Sequence, residues 1–222
     1  MVQSRQVTWL KEETSFPHPS LARQDGLIAI GGDLSPERLL NAYHQGIFPW
    51  SARPTTWWSP DPRAIIDLQT FHIPKTIARL LKQNYFEVTH DEAFLDVMLG
   101  CAERKPGRED TWISEEFMEA YGKLFRMGYA HSVECWFKGR LVGGIYGVCI
   151  DSFFAGESMF YRVSNASNVA LVHLLIHLKQ KGFLLFDTQM VTAHTKRFGA
   201  KNIPRSEYLK RLETALSIKA CF

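Results

Sequence analysis

The chain has 222 residues, of which 45% are hydrophobic and 22% are charged, and its formal net charge is +3. This composition excludes a disordered or fibrous chain and predicts a globular protein with one sizeable core. The N-terminus has no apolar signal core and no run of about 18 apolar residues occurs, so we expect a protein of the cytoplasm. The mildly positive charge permits a nucleic-acid partner and fits many ordinary enzymes equally well.

Residues 1–62 contain seven of the ten prolines. Because proline restricts its own backbone and that of the preceding residue, we predict a small, irregular N-terminal domain here. One helix is expected within it, with Ser35 as N-cap, Pro36 at the first helical position and an end near Gly46. The composition then changes, and we place a second domain over residues 63–222.

Three tryptophans, Trp50, Trp57 and Trp58, lie near the end of the proline-rich part. Each of them could simply pack this part against its neighbour, since a buried indole is an ordinary core residue. An indole beside positive charge could also stack on a nucleic-acid base, because every base has a π-face. The residues alone leave both alternatives open.

The second domain begins with elements of regular pattern. Hydrophobic periodicity, aromatic content and turn residues predict a succession of strands and helices. Strands are expected at 64–68, 86–89, 131–137 and 141–150, and helices at 74–83, 92–103 and 114–128. The Lys138–Arg140 turn would join the last two strands as a hairpin.

The predicted helix over 74–83 has one basic face. Lys75, Arg79 and Lys82 are spaced so that they share a side of the helix. Most such faces are only solvated, and the alternative is a contact surface for nucleic acid.

The most informative stretch runs from residue 153 to residue 190. It predicts a strand that ends in Glu157, a long apolar helix that begins at Ser164 or Asn165 and ends at Gly182, and a strand over 183–186. The helix has almost no polar face, so we expect it to be buried. Two more helices are expected, at 192–200 and at 204–215. Together, the predicted strands and helices indicate a mixed α/β (α+β) fold.

The order of elements after residue 63 resembles a GNAT-type acyltransferase domain. Coenzyme A users of that fold hold the pyrophosphate with a glycine-rich loop, and residues 161–165 contain no glycine at that place. Coenzyme A is therefore not expected. The four cysteines are scattered, and His173 and His177 have no third ligand nearby in sequence, so we expect reduced thiols and no metal.

Several longer motifs occur in order: GGDLSPERLLNAYHQGIFPW, WWSPDPRAII, TWIS, GGIYGV, FFAGESMF, FDTQM and HTKRFGA. Together they resemble the leucyl/phenylalanyl-tRNA–protein transferase family over nearly the whole chain. The resemblance implies transfer of leucine, phenylalanine or methionine from charged tRNA to the N-terminal Arg or Lys of a protein, which marks that protein for degradation. Such a transfer starts from an activated ester, so no cofactor is expected.

The resemblance also assigns catalytic residues. Asp187 and Gln189 would be the catalytic pair, and alternate residues of an extended strand face the same side. Gln189 would bind the incoming α-amino group, while Asp187 would orient Gln189 and help to remove a proton. Glu157 would hold the positively charged end of the acceptor.

Two binding surfaces follow from the same resemblance. The 3′-terminal adenine would lie between Trp50 and Trp112. The donor side chain would enter a pocket lined by Ile145, Phe154, Leu171, Leu174, Leu178 and Phe186. The chain departs from the usual family pattern at Thr188 and Thr192, where Cys and Asn are common.

Two alternatives remain at this point. One is another GNAT-fold transferase that uses charged tRNA to make a different product. The other is a non-catalytic tRNA-binding module, in which the aromatic and basic residues would be needed but Asp187 and Gln189 would not.

Overall fold

Two β-sheets organise the chain, a small one built by the N-terminal residues and a large one built by the rest. The computed structural model describes residues 7–11, 15–104 and 111–222. The small sheet contains β1 (Thr8–Leu10), β2 (Leu27–Gly31), β3 (Phe48–Ala52) and β4 (Thr55–Trp58). These strands lie in the order β1-β2-β4-β3.

The four short strands of the small sheet are not expected from the sequence. The prolines around them argue against strands, but Pro49 lies in β3 at the edge of the sheet, where a missing N–H breaks no ladder. The expected helix is present as α1 (Pro36–His44), and the Ser35 hydroxyl accepts a hydrogen bond from the Arg38 backbone N–H. The N-terminal part is therefore more regular than its composition indicates.

The large sheet contains β5 (Arg63–Ile66), β6 (Glu87–His90), β7 (Ala130–Phe137), β8 (Arg140–Ile150), β9 (Phe153–Tyr161), β10 (Leu185–Gln189) and β11 (Ala200–Ile203). Their order is β11-β5-β10-β9-β8-β7-β6. Within the described residues of this sheet, β9 and β10 form the one parallel pair. The predicted mixed α/β fold is confirmed.

Helices cover both faces of the large sheet. They are α2 (Lys75–Lys82), α3 (Phe94–Ala102), α4 (Glu115–Arg126), α5 (Ala166–Gln180), α6 (Ala193–Lys196) and α7 (Arg205–Leu216). The successive β9 residues Phe153 and Phe154 enter two different cores, the first with α3, α4 and α7 and the second with α2 and α5. In the described ranges, no helix has the length and apolar composition that crossing a bilayer requires.

The end of the chain differs from expectation in two places. The strand expected at 183–186 starts two residues later, so β10 contains both members of the expected catalytic pair. The helix expected at 192–200 is only the four-residue α6, and Ala200 instead begins the edge strand β11 against β5. A four-residue strand with only its first and last residues buried is too short to distinguish from a helix end by pattern.

The buried helix α5 connects the two parallel strands. Its N-cap is Asn165, as expected, but the side-chain oxygen accepts a hydrogen bond from the Asn168 side chain and not from a backbone N–H. Gly182 follows the helix with a φ of 80°, the left-handed conformation expected for it. Because α5 joins β9 to β10 as parallel neighbours, the polar residues that follow their paired segments lie close together.

Candidate active site at the ends of two parallel strands

The strands β9 and β10 pair over a short distance and then diverge. Their register joins Phe153–Ala155 to Leu185–Asp187. Immediately beyond, Glu157 has no partner in the register with β8, and Thr188 has none in the register with β5. Both positions are β-bulges, which bend a strand and redirect its side chains. A cavity opens where the two strands separate, beyond the carboxyl end of their parallel pairing, which is a common place for a ligand in sheets of this kind.

Asp187 is completely buried and its two oxygens are fully engaged. Oδ1 accepts hydrogen bonds from Arg63 Nε at 3.0 Å and from the Gln189 backbone N–H at 2.7 Å. Oδ2 accepts from Arg63 Nη2 at 2.6 Å and from the Tyr208 hydroxyl at 2.8 Å. This carboxylate has no remaining face on the cavity.

The partner of Asp187 is equally enclosed. The Arg63 side chain is 1% exposed, and its Nη1 donates to the Gly46 carbonyl at 3.0 Å. Its guanidinium lies over the rings of Phe48 and Tyr208, with 4.6 and 4.5 Å to the centroids. Two buried charges are costly unless they are paired and hydrogen-bonded, and here both conditions hold. The ion pair therefore joins β5, β10, α7 and the N-terminal part.

Gln189 faces away from Asp187, contrary to the expectation for alternate residues of a strand. Its φ is 61°, and the Met190 N–H donates to the Thr188 carbonyl at 2.6 Å, which closes a γ-turn around Gln189. A non-glycine residue in this region costs on the order of 1–3 kcal/mol, and such strain concentrates at functional sites. The turn and the bulge direct the Gln189 side chain to Glu157, where Nε2 donates to Oε1 at 3.0 Å.

Glu157 lines the cavity and is held by two tyrosines that the sequence did not indicate. The Tyr43 hydroxyl donates to Oε1 at 2.8 Å, and the Tyr121 hydroxyl lies 3.3 Å from Oε2. Burial raises the pKa of the Glu157 carboxyl from 4.5 to about 7; the Tyr43 hydrogen bond opposes the rise, and the charge of Asp187 adds to it. Near neutral pH this carboxyl can both take up and release a proton.

The cavity has a volume of about 250 Å³. Three of the residues expected to line an apolar pocket do line it: Ile145, Leu171 and Phe186. The other three do not line it and are buried in the core behind it: Phe154, Leu174 and Leu178. The Phe154 ring stacks behind Phe186 with 5.9 Å between centroids, and Leu178 lies roughly 10 Å further along α5 than Leu171. The helix thus contributes its beginning, and not a whole face, to this wall.

The segment around α6 also lines the cavity. Thr192, one of the two departures from the family pattern, caps this helix by accepting a hydrogen bond from the Thr195 N–H at 3.1 Å. His194 also lines the cavity, and its Nε2 lies 2.6 Å from Asn168 Oδ1. Burial lowers the pKa of His194, with a smaller effect from the charge of Arg197. Thr188, the second departure, lines the same cavity with its hydroxyl buried.

A second cavity of about 570 Å³ lies between Trp50 and Trp112. Trp50 is 37% exposed and leans on Phe48 and Trp58, with centroids 6.0 and 5.7 Å away. Trp112 packs edge-on against Phe117 at 5.0 Å. The two indoles expected to hold the adenine thus line one cleft, which we call the aromatic cleft.

The other two tryptophans near the proline-rich part have different surroundings. Trp57 is completely buried against Phe16, and its indole N–H donates to the Gly31 carbonyl at 2.9 Å. Trp58 is partly buried and packs against Trp50. Packing therefore explains Trp57, while Trp50 has a free face.

The basic helix α2 has the orientation expected from its spacing. Lys75, Arg79 and Lys82 are exposed, and Ile77 on the other side is completely buried. Within the described residues, no three His, Cys, Asp or Glu side chains are grouped so that they could hold a metal ion.

Comparison with known proteins identifies relatives along most of the chain. The family model described as leucyl/phenylalanyl-tRNA protein transferase matches residues 65–213, and the model of the N-terminal domain of these proteins matches residues 32–61. A protein of this name from Anaeromyxobacter sp. strain K is 49% identical over 210 residues, which cover 93% of this chain and 90% of the relative. Another from Syntrophobacter fumaroxidans is 52% identical over 206 residues, covering 91% and 88%.

Solved structures are less similar. L-PGS from Bacillus licheniformis gives a TM-score of 0.42 at 15% identity, covering 75% of this chain and 54% of that one. A GCN5-related N-acetyltransferase-like protein from Streptococcus suis gives 0.36 at 11% identity, covering 71% and 59%. Values this low carry no conclusion about function.

The raised pKa of Glu157 predicts a pH dependence of stability. Between pH 4.5 and about 7 the folded protein keeps a proton on Glu157 that the unfolded chain has released, so this group lowers stability as the pH rises. In Glu157→Gln that contribution is absent. We expect its free energy of unfolding to rise relative to the wild type by on the order of 1–3 kcal/mol across this window.

Urea unfolding of both proteins at several pH values measures this difference. The exposed Glu119→Gln on α4 is the matched control and should show a far smaller change. A constant difference between Glu157→Gln and wild type across the window would contradict the raised pKa.

Proposed function

This chain belongs to the leucyl/phenylalanyl-tRNA–protein transferase family, and we propose that Glu157, Gln189 and Asp187 carry out its chemistry. The enzyme is an aminoacyltransferase that moves leucine or phenylalanine from aminoacyl-tRNA to the N-terminal Arg or Lys of a protein. The added residue marks the acceptor for proteolysis.

In this proposal, Glu157 accepts the proton of the acceptor's α-ammonium group. The sequence suggested Asp187 for this task, but Asp187 is enclosed by Arg63 and Tyr208 and both its oxygens are occupied. Glu157 borders the cavity, and its pKa of about 7 lies close to that of an α-amino group, roughly 8. A base whose pKa is near the working pH is the most effective one. The location of Glu157 on the cavity, beside the Gln189 amide, is the observation that carries the proposal, and the raised pKa agrees with it.

Gln189 positions the amine and Asp187 positions Gln189. The Gln189 Nε2 is engaged with Glu157, which leaves the amide oxygen as an acceptor for an amine N–H beside that carboxylate. Asp187 acts through the 2.7 Å hydrogen bond to the Gln189 backbone, which holds the strained γ-turn. Asp187 is therefore a positioning residue in this mechanism.

The transfer then proceeds without a cofactor. Glu157 takes one proton from the ammonium group, and the neutral nitrogen forms a bond to the ester carbonyl carbon of the aminoacyl-tRNA. The bond from that carbon to the ribose oxygen breaks, and the second amine proton passes to this oxygen. Since the ester is already activated, alignment of the two reactants supplies most of what the enzyme must add.

The donor occupies both cavities. We assign the adenine to the aromatic cleft and the amino-acid side chain to the 250 Å³ cavity lined by Ile145, Leu171 and Phe186. An apolar cavity gains about 0.8 kcal/mol per buried methylene and distinguishes side chains mainly by shape. Methionine, which is unbranched at Cβ, should be accepted along with leucine and phenylalanine.

The rest of the tRNA contacts α2. Lys75, Arg79 and Lys82 form an exposed basic face that fits acceptor-stem phosphates. The salt dependence of the KM for aminoacyl-tRNA, with and without these three residues, measures their contribution. Since charged tRNA is a cytoplasmic molecule, we place the enzyme in the cytoplasm, which cell fractionation would check.

We further propose that the chain is divided into domains 1–62 and 63–222. The two family models support this boundary, since one ends at residue 61 and the other begins at residue 65. In this division the first domain contributes Trp50 and Tyr43, and the second contributes the two strand ends.

The catalytic assignment predicts a specific kinetic defect. Glu157→Gln keeps the size of the side chain and one acceptor oxygen but cannot accept a proton. We expect kcat for transfer from Leu-tRNA to an Arg-initiated peptide to fall by about 10²–10⁴-fold, with little change in the KM for Leu-tRNA. Glu119→Gln removes the same charge from an exposed position that does not line the cavity, and it serves as the control. Near-normal kcat in a folded Glu157→Gln protein would assign the proton to another group.

The donor cavity predicts a change of preference. Phe186→Leu removes a ring from the wall, so larger donors should gain: the ratio of kcat/KM for Phe-tRNA to that for Leu-tRNA should rise by roughly tenfold. Phe154→Leu is the matched control, because Phe154 stacks on Phe186 but lies behind the wall. Steady-state kinetics with both donors measures the ratios. Equal shifts of this ratio in the two variants would show that the cavity does not select the donor.

A further inference from the structure

The aromatic cleft carries a charge that the proposed mechanism has not used. Arg53 lines the cleft from the turn between β3 and β4, and its side chain is 83% exposed. The backbone of this turn is fixed from both sides. The Ser51 hydroxyl donates to the Pro54 carbonyl at 2.7 Å, and the Thr55 hydroxyl donates to the Ala52 carbonyl at 3.2 Å. Arg53 thus combines a fixed attachment point with a side chain that can reorient.

The guanidinium of Arg53 forms an ion pair with Glu116 in the first turn of α4. Glu116 also lines the cleft and is 34% exposed, so the pair lies at a solvent-accessible rim. Exposed pairs of this kind contribute little to stability. Arg53 can therefore leave Glu116 for another anion at a small cost in free energy. Until it does so, Glu116 holds Arg53 over the cleft.

The chemistry of the donor indicates what the exchange partner is. An adenine stacked between Trp50 and Trp112 leaves its ribose at the rim of the cleft, and the 5′ oxygen of that ribose carries the phosphodiester that leads to the rest of the tRNA. Among the described residues that line the cleft, Arg53 is the only cation. A guanidinium matches the geometry of phosphate oxygens and can bind two of them.

We propose that Arg53 binds the phosphate on the 5′ side of the terminal adenosine and that Glu116 is the partner it leaves to do so. The inference rests on the proposed location of the adenine. Arg53 would then position the donor through the sugar–phosphate backbone of the tRNA. This contact involves neither the base, nor the amino acid, nor the catalytic carboxylate. The contact is also independent of α2, which packs against α5 in the other core.

Two inhibitors that differ by one phosphate test this contact. Puromycin is an adenosine analogue with an aminoacyl group in amide linkage at the 3′ position, and its 5′-monophosphate adds the group in question. The inhibition constants of both compounds are measured against transfer from Leu-tRNA to an Arg-initiated peptide. The measured quantity is their ratio, which cancels effects on the base and on the amino acid.

In the wild type the 5′-phosphate should tighten binding roughly fivefold, the size of one exposed ionic contact. The ratio should fall to near one in Arg53→Ala and keep part of its value in Arg53→Lys, which retains the charge but not the fork. Glu116→Gln should increase the ratio, because Arg53 no longer has a competing partner. Arg211→Ala, which removes an arginine paired to a glutamate on α7, is the control and should leave the ratio unchanged.

A ratio in Arg53→Ala equal to that of the wild type would overturn the inference and leave the adenine site intact. A ratio that falls in Glu116→Gln would overturn the exchange between the two partners. Failure of both compounds to inhibit the wild type would overturn the adenine site itself, and this inference with it. Circular dichroism of each variant establishes that the ratios refer to folded protein.

Discussion

The buried ion pair between Arg63 and Asp187 is the constraint on which the rest of the site depends. It joins four separate parts of the chain: the start of β5, the end of β10, the Tyr208 hydroxyl on α7 and the Gly46 carbonyl after α1. Replacing either partner alone would leave a charge buried without compensation, which typically costs several kcal/mol. The pair therefore fixes the end of β10 at the point where the strand must turn, and it does so from outside the cavity.

Two bulges convert this fixed point into a site. Beyond the last paired residues of β9 and β10, Glu157 and Thr188 are each displaced from register, and the strands separate around the cavity. The close approach of β8 beside the first bulge needs a glycine, since a Cβ on Gly147 would lie 2.1 Å from the Ala155 carbonyl oxygen. Two carboxylates on neighbouring strands, Glu157 and Asp187, thus acquire different surroundings. Asp187 faces a permanent cation, while Glu157 faces two hydroxyl groups and an amide and has a raised pKa. Such a separation of environments is how a pair of acidic groups takes different roles.

The elements that build this site can be predicted from the sequence, but the directions of several of its side chains cannot. The long helix, the strand ends and the two indoles of the aromatic cleft follow from apolar periodicity, from carboxylates placed after buried strands and from family motifs. The directions of Asp187 and Gln189 do not, because alternation along a strand assumes a regular register and a bulge removes it. The role of Arg63 had one signal in the sequence, since it is a charged residue at the start of an otherwise apolar strand. Tyr43 and Tyr121 had none, because they lie 78 residues apart and meet only through the tertiary fold. The helix spacing of Leu171, Leu174 and Leu178 correctly indicates a shared face, but burial of that face does not tell which of its turns borders a cavity.

In the proposed mechanism Asp187 positions Gln189 and does not receive the proton, and a neutral replacement of the ion pair tests this role most directly. Asp187→Asn retains an acceptor for the Gln189 backbone N–H but leaves the Arg63 charge unpaired, while the double variant Arg63→Gln/Asp187→Asn removes both charges. The measurement is the single-turnover rate of peptide-bond formation with saturating Leu-tRNA in the wild type, the two single variants and the double variant. If Asp187 acts by positioning, the double variant should be faster than Asp187→Asn alone, because the buried charge no longer distorts the turn at Gln189. If the double variant is as slow as Asp187→Asn in a folded protein, the carboxylate itself takes part in proton transfer and the account is contradicted.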